Sequence, residues 1–244
     1  QGSWALQTNL ILHLEKIWEQ PDEGIWEMRS GRQQFTFSKV MAWRAMDCAI
    51  RTAEEFGMKA PLERWREVRQ RIHDTGWAQG FDTGRNSFGQ AFGSPHVDAS
   101  LLMLPLVSFL PADDPRMIGT VAAIEQDLLR GGLVLRYDSH EATDGLPPGE
   151  GTFLPCSFWL GDNYALQGRM DEARALFDRL VGLCNDVGLL AEEYDSVDQR
   201  MLGNFPQAFT HTALISTALL LHEQTKAEAA GADQAQSDAA LKPH

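Results

Sequence analysis

Basic charge is scarce: 21 Lys and Arg face 34 Asp and Glu, a net charge of −13 over 244 residues. A surface that neutralises phosphates needs the opposite balance, and no Lys/Arg stripe offsets it locally, so nucleic acid and anionic membranes are excluded as partners. Long apolar runs are absent too; none approaches the roughly 18–20 residues of a membrane-spanning helix. Cysteine is limited to Cys48, Cys156 and Cys184. Three is an odd number, there is no CxxC spacing, and each sits among apolar neighbours. They are expected to be reduced core thiols, which with the absence of a secretory leader implies a cytoplasmic protein.

The motifs of metal and nucleotide chemistry are missing as well. There is no HExxH, no GxSxG and no GxxxxGK[ST], and Gly149-Glu150-Gly151 lacks the Lys and the preceding strand of a phosphate loop. His96, His140 and His211 lack metal-ligand spacing and read as ordinary polar or core histidines. Asp113-Asp114 reads as a turn and N-cap before Pro115. No metal and no cofactor is implied.

What is present is a globular composition, 43% hydrophobic and 23% charged, in two kinds of helical segment. Trp4–Trp18, Leu62–Ile72, Met117–Leu128 and Ala173–Cys184 each carry one apolar stripe at the 3.6-residue period. Ser38–Phe56, Asp98–Val107, Phe153–Leu166 and Gln207–Leu221 are apolar nearly all round, as in helices buried on every side. The two kinds alternate about four times, which predicts an all-α fold of about eight helices in two concentric layers. From about Lys226 to His244 the apolar period stops. The segment 226–244 is expected to be a disordered tail, and 1–225 one domain.

Loop lengths alternate with the helices. Connections from buried to amphipathic helices are short. The reverse connections, Glu19–Phe37, Gly76–Val97, Gly131–Thr152 and Asp186–Pro206, are long and rich in Gly, Pro, Asp and aromatics. Antiparallel succession predicts that these four emerge at one end, where a site is expected. Their reactive content is carboxylate and aromatic: Trp26-Glu27 in the first and Glu192-Glu193-Tyr194 in the last. A carboxylic acid packed against an indole and a second carboxylate in a wetter setting form the acid/base pair that glycoside hydrolysis uses. On composition alone Glu27 equally fits an ordered loop end, Glu192-Glu193 a solvated acidic pair, and Trp26 a core residue.

The longer runs carry more. Pro21-Asp22-Glu23-Gly24-Ile25-Trp26-Glu27, Phe35-Thr36-Phe37-Ser38-Lys39-Val40-Met41-Ala42-Trp43, Gly149–Trp159, Leu189–Asp195 and Gly203-Asn204-Phe205-Pro206-Gln207-Ala208-Phe209 resemble glycoside hydrolase family 15, the glucoamylases, glucodextranases and bacterial trehalases. The resemblance runs from about Trp4 to Leu221. It implies an (α/α)6 toroid of helical hairpins and an inverting, exo-acting α-glucoside hydrolase releasing β-glucose. By motif, Glu27 would be the general acid and Glu192 the general base, with Glu193 as the alternative base. Trp26, Arg29, Arg136, Tyr137 and Glu150 would line the sugar pocket. An inverting pair should stand about 6.5–9.5 Å apart. The final motif leans toward the trehalase branch. About eight helices stand where such a toroid has twelve, and the family's Trp-x-Arg-Asp element has no counterpart, since no Arg-Asp dipeptide occurs. The expectations that follow are apolar flanks at Trp4–Trp18 and Gln207–Leu221, and self-association or a partner polypeptide that supplies the missing helices. A non-catalytic sugar-binding or interaction remnant is the alternative.

Overall fold

A computed structural model describes residues 2–29, 31–138 and 151–240, with side chains through residue 228. The chain forms two compact units, Gln1–Glu150 and Gly151–His244; the single domain expected over 1–225 spans both.

The first unit opens with α1 (Gly2–Ile17), α2 (Thr36–Glu55) and α3 (Leu62–Gly80). Ile11 and Trp18 from the first segment, Met46 and Ile50 from α2, and Trp65, Val68 and Ile72 from α3 form one buried cluster. The stripe read for Leu62–Ile72 is therefore the packed face, and the Arg and Glu between its members stay outside. A hairpin of β1 (Phe81–Asp82) and β2 (Ser87–Phe88) follows. Next come a 3-10 turn (Ala99–Leu102) and the four-residue α4 (Met103–Leu106). α5 (Pro115–Leu128) starts as expected: Asp114 caps it, accepting the Arg116 N–H at 2.9 Å, with Pro115 in its first turn. The hairpin of β3 (Leu129–Arg130) and β4 (Leu133–Val134) ends in Arg136-Tyr137.

The second unit contains β5 (Thr152–Phe153), α6 (Leu154–Leu166), α7 (Met170–Val181), β6 (Glu193–Asp195), β7 (Arg200–Leu202) and α8 (Ala208–Ala240). The three strands form an antiparallel sheet in the order β5–β6–β7. In α6 all residues except Trp159 and Leu166 are buried, as its unbroken apolarity requires. α7 buries Ala173, Leu176 and Leu180 on one stripe.

Several expectations need correction. α2 is not buried all round; Met41, Cys48, Arg51 and Glu54 face solvent. Of the three cysteines, which are free, Cys156 is buried, Cys184 is half-buried and Cys48 is exposed, because Cys48 falls on the open side of α2. Asp98–Val107 is a 3-10 turn and one helical turn rather than a full helix. Pro105, which lacks an N–H to donate, stands in the middle of that helical turn. Up to residue 228, α8 buries the side bearing Thr210, Ala213, Thr217 and Leu221, and leaves Phe209, Ile215 and Leu219 exposed. On α1, Leu6 and Leu10 are exposed as well. Where disorder was expected, α8 continues from Lys226 to Ala240: Ala, Glu, Gln and Lys are strong helix formers and extend a helix already nucleated by packing.

Candidate active site

In the first unit, the first two long loops bond to each other, and the third bonds to the 3-10 turn that follows the second. The first folds back on itself through the Asp22–Gln33 bridge. It meets the second at the Phe35–Ala91 bridge and through the Phe92 N–H to Gln34 O bond at 2.9 Å. The third joins through the Ala99 N–H, which donates to Arg136 O at 2.8 Å.

The start of the first loop is tied down from beneath. Buried Lys39 donates from Nζ to Trp18 O (2.8 Å) and Gln20 O (2.7 Å), and its ammonium stands 3.8 Å from Asp22 Oδ2. Burial pulls the Lys39 pKa below its ordinary value, and the Asp22 charge offsets part of that. Asp22 Oδ1 accepts from Gly24 N–H at 2.8 Å and from Ser38 Oγ at 2.7 Å. Gly24 has φ +71°, and a Cβ there would lie 2.9 Å from the Phe35 ring, so this turn requires glycine. Glu27 follows with φ +51°, an unusual backbone for a non-glycine residue. Its N–H bonds to Gly24 O at 3.2 Å, and Met28 N–H bonds to Glu23 O at 2.9 Å.

Trp26 does not shield Glu27 as expected. Glu27 is exposed, and the half-buried indole turns its polar edge the other way, donating from Nε1 to Asp98 Oδ2 at 2.9 Å. The carboxylate buried beneath the tryptophan is thus Asp98. Its other oxygen accepts from Ser100 Oγ (2.5 Å) and Ser100 N–H (3.1 Å). Burial pushes Asp98 up from the ordinary 3.8 to about 6, against the pull of those hydrogen bonds. Tyr137, almost fully buried, packs with Met28, Phe35, Ala91 and Trp26, its ring 6.3 Å from the indole. The Arg136 guanidinium lies 5.7 Å from the Trp26 ring and 5.5 Å from the Tyr137 ring, within cation–π reach.

So the structure brings Trp26, Arg136 and Tyr137 together. Arg29 stands exposed, and among the described residues no hydrogen bond or ion pair ties it to this cluster. Glu150 and His140 lie outside the described residues. His96 lines a cavity of about 250 Å³ with Asp127, Arg130 and Asp138. Among the described residues no three His, Cys, Asp or Glu side chains gather as a metal site would require.

In the second unit the acidic loop is pinned at both ends. Leu190 and Ala191 are buried. His211 Nε2 accepts the Leu190 N–H at 3.1 Å, and Thr210 Oγ1 donates to Ala191 O at 2.9 Å, fastening the loop to the first turn of α8. Glu192 sits at the mouth of the β6–β7 hairpin. Its N–H bonds to Asn204 O (3.0 Å), and its C=O accepts the Leu154 N–H (3.1 Å). Its carboxylate Oε2 accepts two bonds from Asn204, from the backbone N–H at 3.0 Å and from Nδ2 at 2.8 Å. Gly203, at φ +74°, makes room for this; a Cβ there would stand 2.8 Å from Glu192 Oε2. Strand alternation turns Glu193 to the opposite face, where its side chain packs beside Gly151. Asp195 accepts the Val197 and Asp198 N–H groups in the hairpin turn, and these bonds hold its carboxyl below the ordinary range.

Two residues central to this geometry were not singled out from the sequence. Asp98 was legible as a cap, since it precedes an apolar run and does accept from Ser100 N–H, but nothing local pointed to Trp26. Asn204 was part of a matching motif without a role of its own.

The helical scaffold has the glucoamylase-like (α/α)6 fold. Solved structures with that likeness include a glycosidase variant in complex with glucose, at TM-score 0.70 and 20% identity over 86% of this chain and 57% of that one. A bacterial glucoamylase complexed with acarbose matches at TM-score 0.69 and 15% identity, over 91% of this chain and 39% of that one. The chain belongs to glycosyl hydrolases family 15, whose model matches residues 2–219. It is 40% identical over 220 residues to a trehalase of Thermoplasma acidophilum, covering 90% of this chain and 38% of that protein. To a trehalase of Mycobacterium tuberculosis it is 42% identical over 232 residues, 95% of this chain and 34% of that protein. The chain thus spans between a third and two-fifths of the length of these relatives.

Proposed function

We propose that this chain carries the acid and base of an inverting, exo-acting α-glucoside hydrolase that releases β-glucose, with trehalose as the leading substrate. Both units would belong to one catalytic domain. Glu27 would protonate the glycosidic oxygen as the bond to the anomeric carbon breaks. Glu192 would take a proton from the water that attacks that carbon from the opposite face. Such a pair needs its carboxyls about 6.5–9.5 Å apart, with the nucleophilic water between the anomeric carbon and the base. Trp26, Arg136 and Tyr137 would hold sugar hydroxyls and the ring face, with Arg29 and Glu150 at the rim. The trehalase names of relatives at 40% and 42% identity favour trehalose over maltose-type substrates.

The observation that carries this reading is the environment of Glu192. Asn204 saturates Oε2 twice, while Oε1 accepts no hydrogen bond among the described residues, leaving one oxygen oriented and available for a water. That favours Glu192 over Glu193 as the base. The exposed leucines of α1 and the exposed apolar side of α8 favour association, either between copies or with a polypeptide supplying further helices.

The test is a proton NMR time course of the chain with trehalose, and separately with maltose, following the anomeric signals. β-Glucose appearing first and mutarotating later supports the inverting assignment, and the Glu27→Gln variant is expected to lose activity by at least 100-fold, in line with the usual worth of a general acid. From trehalose the leaving glucose keeps its α configuration, so inversion gives β- and α-glucose in equal first amounts; α-glucose alone, or full activity in Glu27→Gln, refutes the assignment. Absence of turnover with either sugar favours a non-catalytic remnant.

A further inference from the structure

The buried turn at Asp98–Ser100 touches both parts of the proposed sugar-holding cluster, through two different kinds of bond. Asp98 Oδ2 receives the Trp26 indole N–H at 2.9 Å, across 72 residues of sequence. One residue on, the Ala99 N–H donates to Arg136 O at 2.8 Å and fixes the strand end that carries Arg136 and Tyr137. Asp98 itself cannot swing, because Ser100 holds its second oxygen through Oγ at 2.5 Å and N–H at 3.1 Å. Asp98, Ala99 and Ser100 are all at most 1% exposed, so water does not compete for any of these bonds. A buried carboxylate without an ion-pair partner is costly to keep. Here all of its recorded bonds serve either to hold Trp26 or to hold the carboxylate itself.

We infer that Asp98 is a positioning residue for sugar recognition: through Trp26, and through the turn that also anchors Arg136-Tyr137, it sets the spacing between the indole and the guanidinium that would grip the substrate. This inference rests on the glycosidase reading above. Asp98 does not touch the sugar. The Glu27 backbone is set by its own turn, through Gly24 O and Glu23 O, so loss of Asp98 acts on binding more than on proton transfer.

Asp98→Asn is the direct probe. An amide can keep the Trp26 bond only by turning its NH2 onto the Ser100 N–H, or keep Ser100 and turn the NH2 onto the indole N–H, so one bond is lost in either orientation. Four proteins are compared: wild type, Asp98→Asn, Trp26→Phe and the double variant. Emission spectra are subtracted pairwise, each against its Trp26→Phe counterpart, to isolate Trp26 from the other tryptophans. The expected result is a Trp26 spectrum shifted by Asp98→Asn, a KM for trehalose raised about tenfold with kcat within about threefold, and no further KM change when Asp98→Asn is added to Trp26→Phe. Should Asp98→Asn not fold, Ser100→Ala removes the other holder of the carboxylate and is expected to shift the same spectrum and raise KM about threefold.

A lower melting temperature with an unchanged KM in the folded fraction would mark Asp98 as merely structural and overturn the inference. So would an unshifted Trp26 spectrum, or a KM penalty as large in the Trp26→Phe background as in wild type. If the wild-type chain turns over no trehalose, the hydrolase reading of this chain fails. The spectra and the trehalose titration of their intensities then decide on Asp98 alone: a Trp26 signal that trehalose perturbs in wild type and not in Asp98→Asn sustains it, and one that trehalose leaves unchanged overturns it.

Discussion

Acidification should stabilise the second unit of this protein, and one side chain should account for it. Asp162 lies in α6 at 5% exposure, and its Oδ1 has no hydrogen-bond partner. Burial pushes its carboxyl up from 3.8 to about 6; the Thr217 hydroxyl on α8 is near enough to relieve part of the penalty but makes no well-aligned hydrogen bond. A carboxyl moved that far carries about 3 kcal/mol between its two protonation states. The folded form takes up a proton near pH 6, whereas the unfolded chain waits until about 3.8. Stability from this group is therefore fully present below the unfolded value and is lost as the pH rises through 6. Between pH 7.5 and pH 4.5 wild type should gain about 2 kcal/mol, a trend opposite to ordinary acid denaturation. The Asp162→Asn variant cannot ionise, so it should be flat over the same range. At pH 7.5 it should exceed wild type by up to about 3 kcal/mol, less the cost of burying the amide.

Because the chain has two units, a single melting curve would mix them. Hydrogen exchange read by mass spectrometry on α6 and α7 peptides, across a urea series and with both proteins at the same pH, isolates the relevant transition. Glu172 and Asp195, whose carboxyls are held below their ordinary range by Arg169 and by backbone N–H groups respectively, work in the other direction, but only as the pH falls through the ordinary carboxyl range, and Glu172 stands in solvent. A wild-type α6 that loses protection from pH 7.5 to 4.5 relative to Asp162→Asn, or a variant less stable than wild type at pH 7.5, would refute the reasoning.

Three further outcomes follow from the site. Asn204→Ala removes the 2.8 Å bond from Nδ2 to Glu192 and keeps the backbone one; kcat for trehalose should fall about tenfold with KM little changed, and an unchanged kcat would argue against Glu192 as the base. Gly203→Ala places a methyl 2.8 Å from Glu192 Oε2 at φ +74°; it should lose about 1–2 kcal/mol of second-unit stability in urea and more activity than Asn204→Ala, and wild-type behaviour would contradict the described hairpin. Leu6→Gln with Leu10→Gln, at positions 62% and 60% exposed, should weaken self-association at least 100-fold in sedimentation, and an association constant equal to wild type would place the contact elsewhere.

The elements most legible in the sequence were those whose burial has one periodic face. Trp65, Val68 and Ile72 on α3, and Met117, Val121 and Ile124 on α5, are buried at the positions their spacing requires. Periodicity failed where an apolar run is not followed by matching burial. The run Gln207–Leu221 contains enough Leu, Ile and Phe to look enclosed, yet Phe209, Ile215 and Leu219 face solvent, because hydrophobicity reports what could be covered and not what covers it. The hairpins β1–β2, β3–β4 and β6–β7 were not legible either; strands of two or three residues carry no alternation long enough to count. For the site, local adjacency suggested a contact that the structure does not contain. Trp26 and Glu27 are neighbours in sequence, but at φ +51° the glutamate backbone turns out to solvent while the indole finds Asp98, 72 residues on.

That difference changes where the electrostatic work is done. Glu27, the proposed general acid, is exposed, so in that role it would be enclosed only when the site is filled. The positions of Trp26 and Glu192, by contrast, are already fixed before any sugar arrives: the first by a buried carboxylate, the second by an asparagine that spends two donors on one oxygen. Groups fixed in advance cost no reorganisation when charge develops, whereas a group that becomes enclosed only on binding makes its protonation depend on the ligand.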